Sequence, residues 1–182
     1  MDDVPELDSI PTDVVDSDIH RQLALEAAEQ GMVLLKNEGD LLPLAANTKV
    51  ALIGPHLNAT QDMLSNYHGT NVLVESNSPL QAFQRYNNGV NLVGYEAACN
   101  MLLDGCSTLP PANLSRAQAL AQQADVAIVF LGLHPYREDS NPAMESEAVD
   151  RLNLTLPAQQ LELVQAILKV RAVAWSWDVP RL

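Results

Sequence analysis

"SRAQALAQQADVAIVFLGL" (115–133) decides the architecture. Its first ten residues are Ala, Gln, Leu, Arg and one Ser, nearly all strong helix formers. Its last nine, "DVAIVFLGL" (125–133), form a continuous apolar run rich in β-branched residues, the strongest strand signal in the chain. A helix that runs directly into such a strand points to a parallel sheet covered on both faces.

Working outward, "KVALIGP" (49–55) and "GVNLVGY" (89–95) are runs of the same kind. Helices are expected over 17–30, capped by Ser17 or Asp18 and ended by Gly31, over 79–86 behind Ser78-Pro79, and over 156–170. A short helix is expected over 59–65. "MVLLKN" (32–37), bounded by Gly31 and the turn Asn37-Glu38-Gly39-Asp40, reads as a strand, and "VRAVAW" (170–175) as one more. Apolar strands separated by helices predict an α/β fold, a three-layer αβα sandwich with a mostly parallel sheet. In such sheets sites form beyond the carboxyl ends of the strands. Two loops leave such ends: "GPHLN" (54–58) and the loop that begins "GLHPYRED" (132–139).

The chain has 182 residues, 47% hydrophobic and 18% charged, which suits one globular domain with a sizeable core. Its net charge of -13 opposes binding to nucleic acid or an anionic membrane. Residues 1–17 carry acidic side chains and no Lys or Arg, and read as an extended leader with the domain over 18–182. The leader lacks the basic start and apolar run of a secretory signal, and no run of 18 apolar residues occurs. Sequons at Asn58, Asn113 and Asn153 tilt the balance toward an extracellular parent. Cys99 and Cys106 are compatible with a disulfide or with two buried thiols.

Most common chemistries find no motif. Neither "IGPHLNAT" nor "GLHPYRED" has the several glycines of a phosphate-binding loop, so a flavodoxin-like nucleotide site is disfavoured. His20, His56, His68 and His134 are scattered singly, with no CxxC spacing, so no metal and no cofactor are expected. There is no GxSxG nucleophile elbow. What remains is acidic: Glu138, Asp139, Glu145, Glu147 and Asp150 within 13 positions, edged by Arg137 and Arg151. Carboxylates crowded together and shielded from water raise one another's pKa values, which is what a general acid near neutral pH requires. Asp150 adjoins the next helix start, and Arg151 can clamp a carboxylate. From spacing alone, a solvated charged loop is the favoured reading of the stretch.

The segments resemble, in order, the second domain of family 3 glycoside hydrolases. The resemblance is carried by "HRQLALEAAEQGMVLLKNEGDLLPL" (20–44), "KVALIGPHLNAT" (49–60), "SNYHGT" (65–70), "SPLQAF" (78–83), "AQQADVAIVFLGL" (121–133) and "ESEAVDRLNLTLPAQQLELVQAI" (145–167). The β-xylosidase branch is the nearest in look: its Tyr-x-x-Gly-Cys stretch and second Cys are matched by Tyr95, Cys99 and Cys106, with Ala98 in place of the glycine. The resemblance implies an αβα sandwich that partners a (β/α)₈ barrel, and retaining hydrolysis of β-linked sugars. The nucleophile then lies in the barrel, and a glutamic acid of the second domain protonates the leaving oxygen. Carried onto Glu145-Ser146-Glu147-Ala148-Val149-Asp150-Arg151, it implies Glu145 as acid/base, Glu147 as the alternative, and Asp150 and Arg151 as support. Tyr67 and His68 could stack on and hydrogen-bond a sugar.

Two departures shape the expectation. Retaining hydrolysis needs two carboxyl groups about 5–5.5 Å apart, and no second acidic site can be argued within this chain. The match also fades after about residue 170, where "RAVAWSWDVPRL" replaces the expected Gly-Gly continuation, as in a domain truncated at its C-terminus. The expected function is the acid/base-carrying domain of a xylosidase-like enzyme, inactive without its barrel and acting on a β-linked oligosaccharide. The alternative is a non-catalytic module that binds carbohydrate or docks on a partner.

Overall fold

The computed structural model describes residues 9–58, 60, 78–85, 89–100, 106–133, 154–156, 159–170 and 173–175. The chain divides into two compact units, Met1–Gly39 and Asp40–Leu182.

In the first unit, helix α1 (Asp18–Gly31) starts at an extended Ser17 whose hydroxyl accepts a hydrogen bond from the His20 N–H at 3.4 Å. This satisfies one of the amides that a helix start leaves open, so Ser17 is the cap. Just before it, Arg21 donates twice to Asp16, at 2.9 and 2.7 Å. That hydrogen bond holds the Asp16 carboxyl below its ordinary pKa and lifts the Arg21 guanidinium above its own.

The strand expected over 32–37 does not form. Met32, Val33, Leu34 and Leu35 are 73%, 76%, 64% and 64% exposed. A strand is half of a ladder, and the described residues of this unit hold no second strand to pair with it. The expected helix over 59–65 lies almost wholly outside the described residues.

The second unit is built on four parallel strands, β1 (Lys49–Ile53), β2 (Asn91–Glu96), β3 (Val126–Val129) and β4 (Val173–Trp175), in the order β2-β1-β3-β4. Helix α2 (Pro79–Arg85) follows β1, α3 (Pro111–Gln123) follows β2 and α4 (Gln160–Leu168) follows β3. Side chains alternate across the sheet as strand geometry requires. Val50, Leu52, Ile128 and Phe130 join Leu80 and Phe83 of α2 on one face. Ala51, Ile53, Ala127 and Val129 join Ala117 and Ala121 of α3 and Leu163, Val164 and Ile167 of α4 on the other. This is the expected three-layer αβα sandwich.

Local chemistry explains the elements. Ser78 and Gln81 cap α2 reciprocally: the Ser78 hydroxyl accepts from Gln81 N–H at 3.2 Å and Gln81 Oε1 accepts from Ser78 N–H at 3.1 Å. Helix α3 begins at Pro111 rather than Ser115, because a proline at the first position lacks only an N–H that would go unbonded there. It packs so closely on β2 that a Cβ at Gly94 would come within 2.7 Å of Leu120 Cδ2. Asp125 sets the register of the two central strands: its carboxylate accepts from Lys49 N–H at 2.9 Å and its own N–H donates to Lys49 O at 2.8 Å.

Candidate active site at the carboxyl ends of the strands

From β1 the chain moves to one side of the sheet, to β2, and then returns past β1 to β3 and β4. The switch point therefore lies between β1 and β3, where an open parallel sheet leaves a crevice beyond its carboxyl ends. The loops named from the sequence, 54–58 and that beginning at 132, both leave from this point.

The floor is backbone packed on backbone. Phe130 N–H donates to Ile53 O at 2.8 Å, Gly54 N–H to Glu96 O at 3.0 Å and His56 N–H to Phe130 O at 3.4 Å. Gly54 sits at φ +116°, and a Cβ there would run into the Phe130 carbonyl. Only glycine meets both demands. The chain then turns through Pro55–Asn58, burying Pro55 and Leu57. The His56 ring lies over Gly132, 3.4 Å from where a Cβ would be.

Gly132 is the point from which the acidic loop departs, and it is held by one side chain. Gln160, fully buried at the start of α4, accepts from Gly132 N–H at 2.9 Å and donates to Gly132 O at 2.8 Å. A buried amide left unbonded would cost about 1–3 kcal/mol, so this pairing is what allows a Gln in the core. Sequence reasoning gave Gln160 no role. The signal was present: it occupies the i position of the stripe completed by Leu163, Val164 and Ile167, a polar residue where the pattern calls for an apolar one.

The end of β2 carries a second constellation that spacing did not reveal. Glu96, its side chain 15% exposed, accepts from Ala98 N–H at 3.1 Å and from Arg116 Nε at 2.7 Å. Arg116 also donates to Asn113 Oδ1 at 2.7 Å, and Asn113 Nδ2 donates to Ala98 O at 3.0 Å. The Asn113 sequon thus has its amide nitrogen engaged, while Asn58 is exposed. Cys99 and Cys106 form a disulfide across this ledge, with Cα atoms 5.0 Å apart. Of the two readings open from the sequence, the bonded one holds. Ala98 lies at φ +68°, a conformation that costs an L-residue roughly 1–2 kcal/mol. Burial of its methyl in the core offsets part of that strain.

The other named residues fall elsewhere. Tyr67, His68, Glu145, Glu147, Asp150 and Arg151 all lie outside the described residues, as do Glu138 and Asp139. The ends of the connection that carries the acidic residues and Arg151 are described: Gly132 on one side, and Leu154–Leu156 followed by Gln159 and Gln160 on the other. Among the described residues no group of three or more His, Cys, Asp or Glu could hold a metal ion. Among them, too, no helix is long and apolar enough to cross a membrane.

Comparison with known proteins places this geometry. Residues 32–174 match the glycosyl hydrolase family 3 C-terminal domain. A beta-xylosidase/alpha-L-arabinofuranosidase of Medicago sativa subsp. varia is 37% identical over 164 residues, covering 88% of this chain and 18% of the relative. An exo-1,4-beta-xylosidase of Aspergillus niger is 35% identical over 162 residues, covering 86% of this chain and 18% of the relative. Among solved structures, a family 3 exo-beta-xylosidase in complex with a xylobiose aziridine activity-based probe superposes with a TM-score of 0.68 at 30% identity, over 86% of this chain and 18% of that one. A family 3 beta-glucosidase of Bifidobacterium adolescentis gives 0.69 at 30% identity, over 92% and 23%. The chain spans less than a fifth of the length of the curated relatives it matches.

Proposed function

The chain belongs to the glycosyl hydrolase family 3 C-terminal domain family, and from that premise we propose that it supplies the general acid/base of a retaining β-glycosidase of xylosidase type. In this reading residues 1–17 are an acidic leader and 18–182 carry the domain. The nucleophile comes from a (β/α)₈ barrel, and the chain alone does not turn sugar over. The parent works outside the cell on β-linked xylo-oligosaccharides.

The observation that carries the reading is one of placement. Glu145-Ser146-Glu147-Ala148-Val149-Asp150-Arg151 falls between Gly132, beyond the carboxyl end of central strand β3, and Gln160, the first residue of α4. Catalytic groups of open α/β sheets belong at that end. The similarity to xylosidases from a plant and a fungus supports the sugar class. Glu145 acts in two strokes: as an acid it protonates the departing glycosidic oxygen, and as a base it then takes a proton from the water that releases the sugar from the nucleophile. Glu147 is the alternative for the same role. Asp150 and Arg151 support the carboxyl, and Tyr67 and His68 contact the sugar.

The test joins the 182-residue chain to the part of the Aspergillus niger relative that it does not span, and assays xylobiose. Activity that Glu145→Gln abolishes supports the proposal. Activity that survives both Glu145→Gln and Glu147→Gln overturns it, and an inactive fusion in which the chain binds xylobiose equally well with and without Glu145 points to the carbohydrate-binding module instead.

A further inference from the structure

We propose that Gln160 is a positioning residue for the acid/base: its side-chain amide fixes the two ends of the acidic loop against each other, and so sets where the loop's carboxyl group stands. The inference rests on the acid/base reading above and adds to it a residue far from the acidic motif in sequence.

Gly132 and Gln160 are 28 positions apart, and everything between them is the connection that carries Glu145 and Glu147. Here the departing end is bonded at both its N–H and its C=O by a single side chain, with donor–acceptor distances of 2.9 and 2.8 Å. The amide of Gln offers one donor side and one acceptor side, so it can do for Gly132 what a neighbouring strand does for the rest of β3. No apolar residue of similar size could do so. The returning end is held as well: Gln159 N–H donates to Cys106 O at 3.1 Å, which ties the start of α4 to the disulfide-bonded ledge. The His56 ring stands 3.4 Å from where a Cβ on Gly132 would be, so it flanks the loop's departing end. The departing stem is thus bonded to the start of α4 by Gln160, and the start of α4 is in turn bonded to the disulfide-bonded ledge beyond β2. A misplacement of about 1 Å at a catalytic group can cost on the order of 100-fold in rate, so such a clamp is worth a buried amide.

The test uses the same fusion and two substrates, xylobiose and 2,4-dinitrophenyl β-xyloside. The first leaving group must be protonated as it departs; the second leaves as a stable anion and needs no acid. Gln160→Met keeps length and apolar bulk but neither donates nor accepts as an amide does. The expected result is a loss of about 10- to 100-fold in kcat/KM on xylobiose and less than about 3-fold on the dinitrophenyl substrate, by the size of general-acid contributions. In the 182-residue chain, hydrogen exchange at the Gly132 amide should quicken by about 10-fold or more, while that of Val126–Val129 stays put, because only the loop end is released. Equal losses on both substrates, or exchange that quickens through the whole of β3, would mean that Gln160 only stabilises the fold, and overturn the inference. No loss on either would overturn it too. Should Gln160→Met fail to fold, Gln160→Asn, whose amide is one methylene short of reaching both Gly132 groups, carries the same comparison. An active fusion with no substrate-dependent loss defeats this inference alone; a fusion whose activity ignores Glu145 and Glu147 defeats the acid/base reading and this inference with it.

Discussion

Two apolar runs of this chain look alike on paper and end differently. "KVALI" (49–53) becomes β1, and Val50, Ala51, Leu52 and Ile53 are fully buried. "MVLL" (32–35) is as hydrophobic, with one β-branched residue against two, yet it forms no strand and each of its side chains is more than half exposed. The difference lies in what surrounds them. β1 has β2 on one side and β3 on the other, with α2 against one face and α3 and α4 against the opposite one. Residues 32–35 sit in a unit whose described residues offer one α-helix and no ladder partner. Apolar composition supplies a tendency to be buried; paired strands and covering helices turn it into structure.

The contrast can be broken most forcefully in the core. Ile53→Ala should cost about 2–5 kcal/mol in urea unfolding, through lost burial and the cavity left behind, whereas Leu34→Ala should stay within about 0.5 kcal/mol. Comparable losses at both sites would erase the distinction. The second unit also carries a covalent tie. Replacing Cys99 and Cys106 by Ser should cost about 2.5 kcal/mol from the freed eight-residue loop, with hydrogen exchange quickening in β2 and α3 and unchanged in α1. Glycines sharpen the comparison further. Gly54→Ala should destabilise by about 2 kcal/mol or more, being at positive φ and against a carbonyl. Gly31→Ala, with nothing within 4 Å of the new Cβ, should be neutral or stabilising by up to about 1 kcal/mol.

The smallest effect is one of pH in the first unit. The hydrogen bond from Arg21 lowers the Asp16 pKa, so the folded state binds this proton less readily than the unfolded chain. Its contribution is present above the ordinary carboxylate range and is lost as pH falls through the lowered value. Carboxyl titration by NMR should place the Asp16 midpoint below 3.8, moving back toward it in high salt because the pair is exposed. A midpoint at or above 3.8 would show that the pair does not persist in solution.

Much of this was legible in the sequence, for identifiable reasons. The parallel strands announce themselves because burial on both faces demands unbroken apolar runs, as in "VALI" and "VAIV". Ser17 and Ser78-Pro79 mark helix starts because capping chemistry is local. What stayed hidden depends on partners distant in the chain. Nothing near residue 32 says that the described residues of its unit offer no strand to pair with. Nothing near residue 160 says that its amide meets Gly132, and nothing near residue 96 says that Glu96 takes Arg116 and Ala98. The acidic loop was legible as chemistry, by its crowding and its resemblance to family 3, and Glu145, Glu147, Asp150 and Arg151 stand there as proposals.

The most direct test of that chemistry is the pH dependence of xylobiose hydrolysis by the fused chain, compared between Glu145→Gln and Glu147→Gln. With Glu145 as the acid/base, Glu145→Gln should lose about 100-fold or more in kcat/KM together with the alkaline limb of the profile, while Glu147→Gln keeps that limb. An alkaline limb that survives in Glu145→Gln would contradict the account.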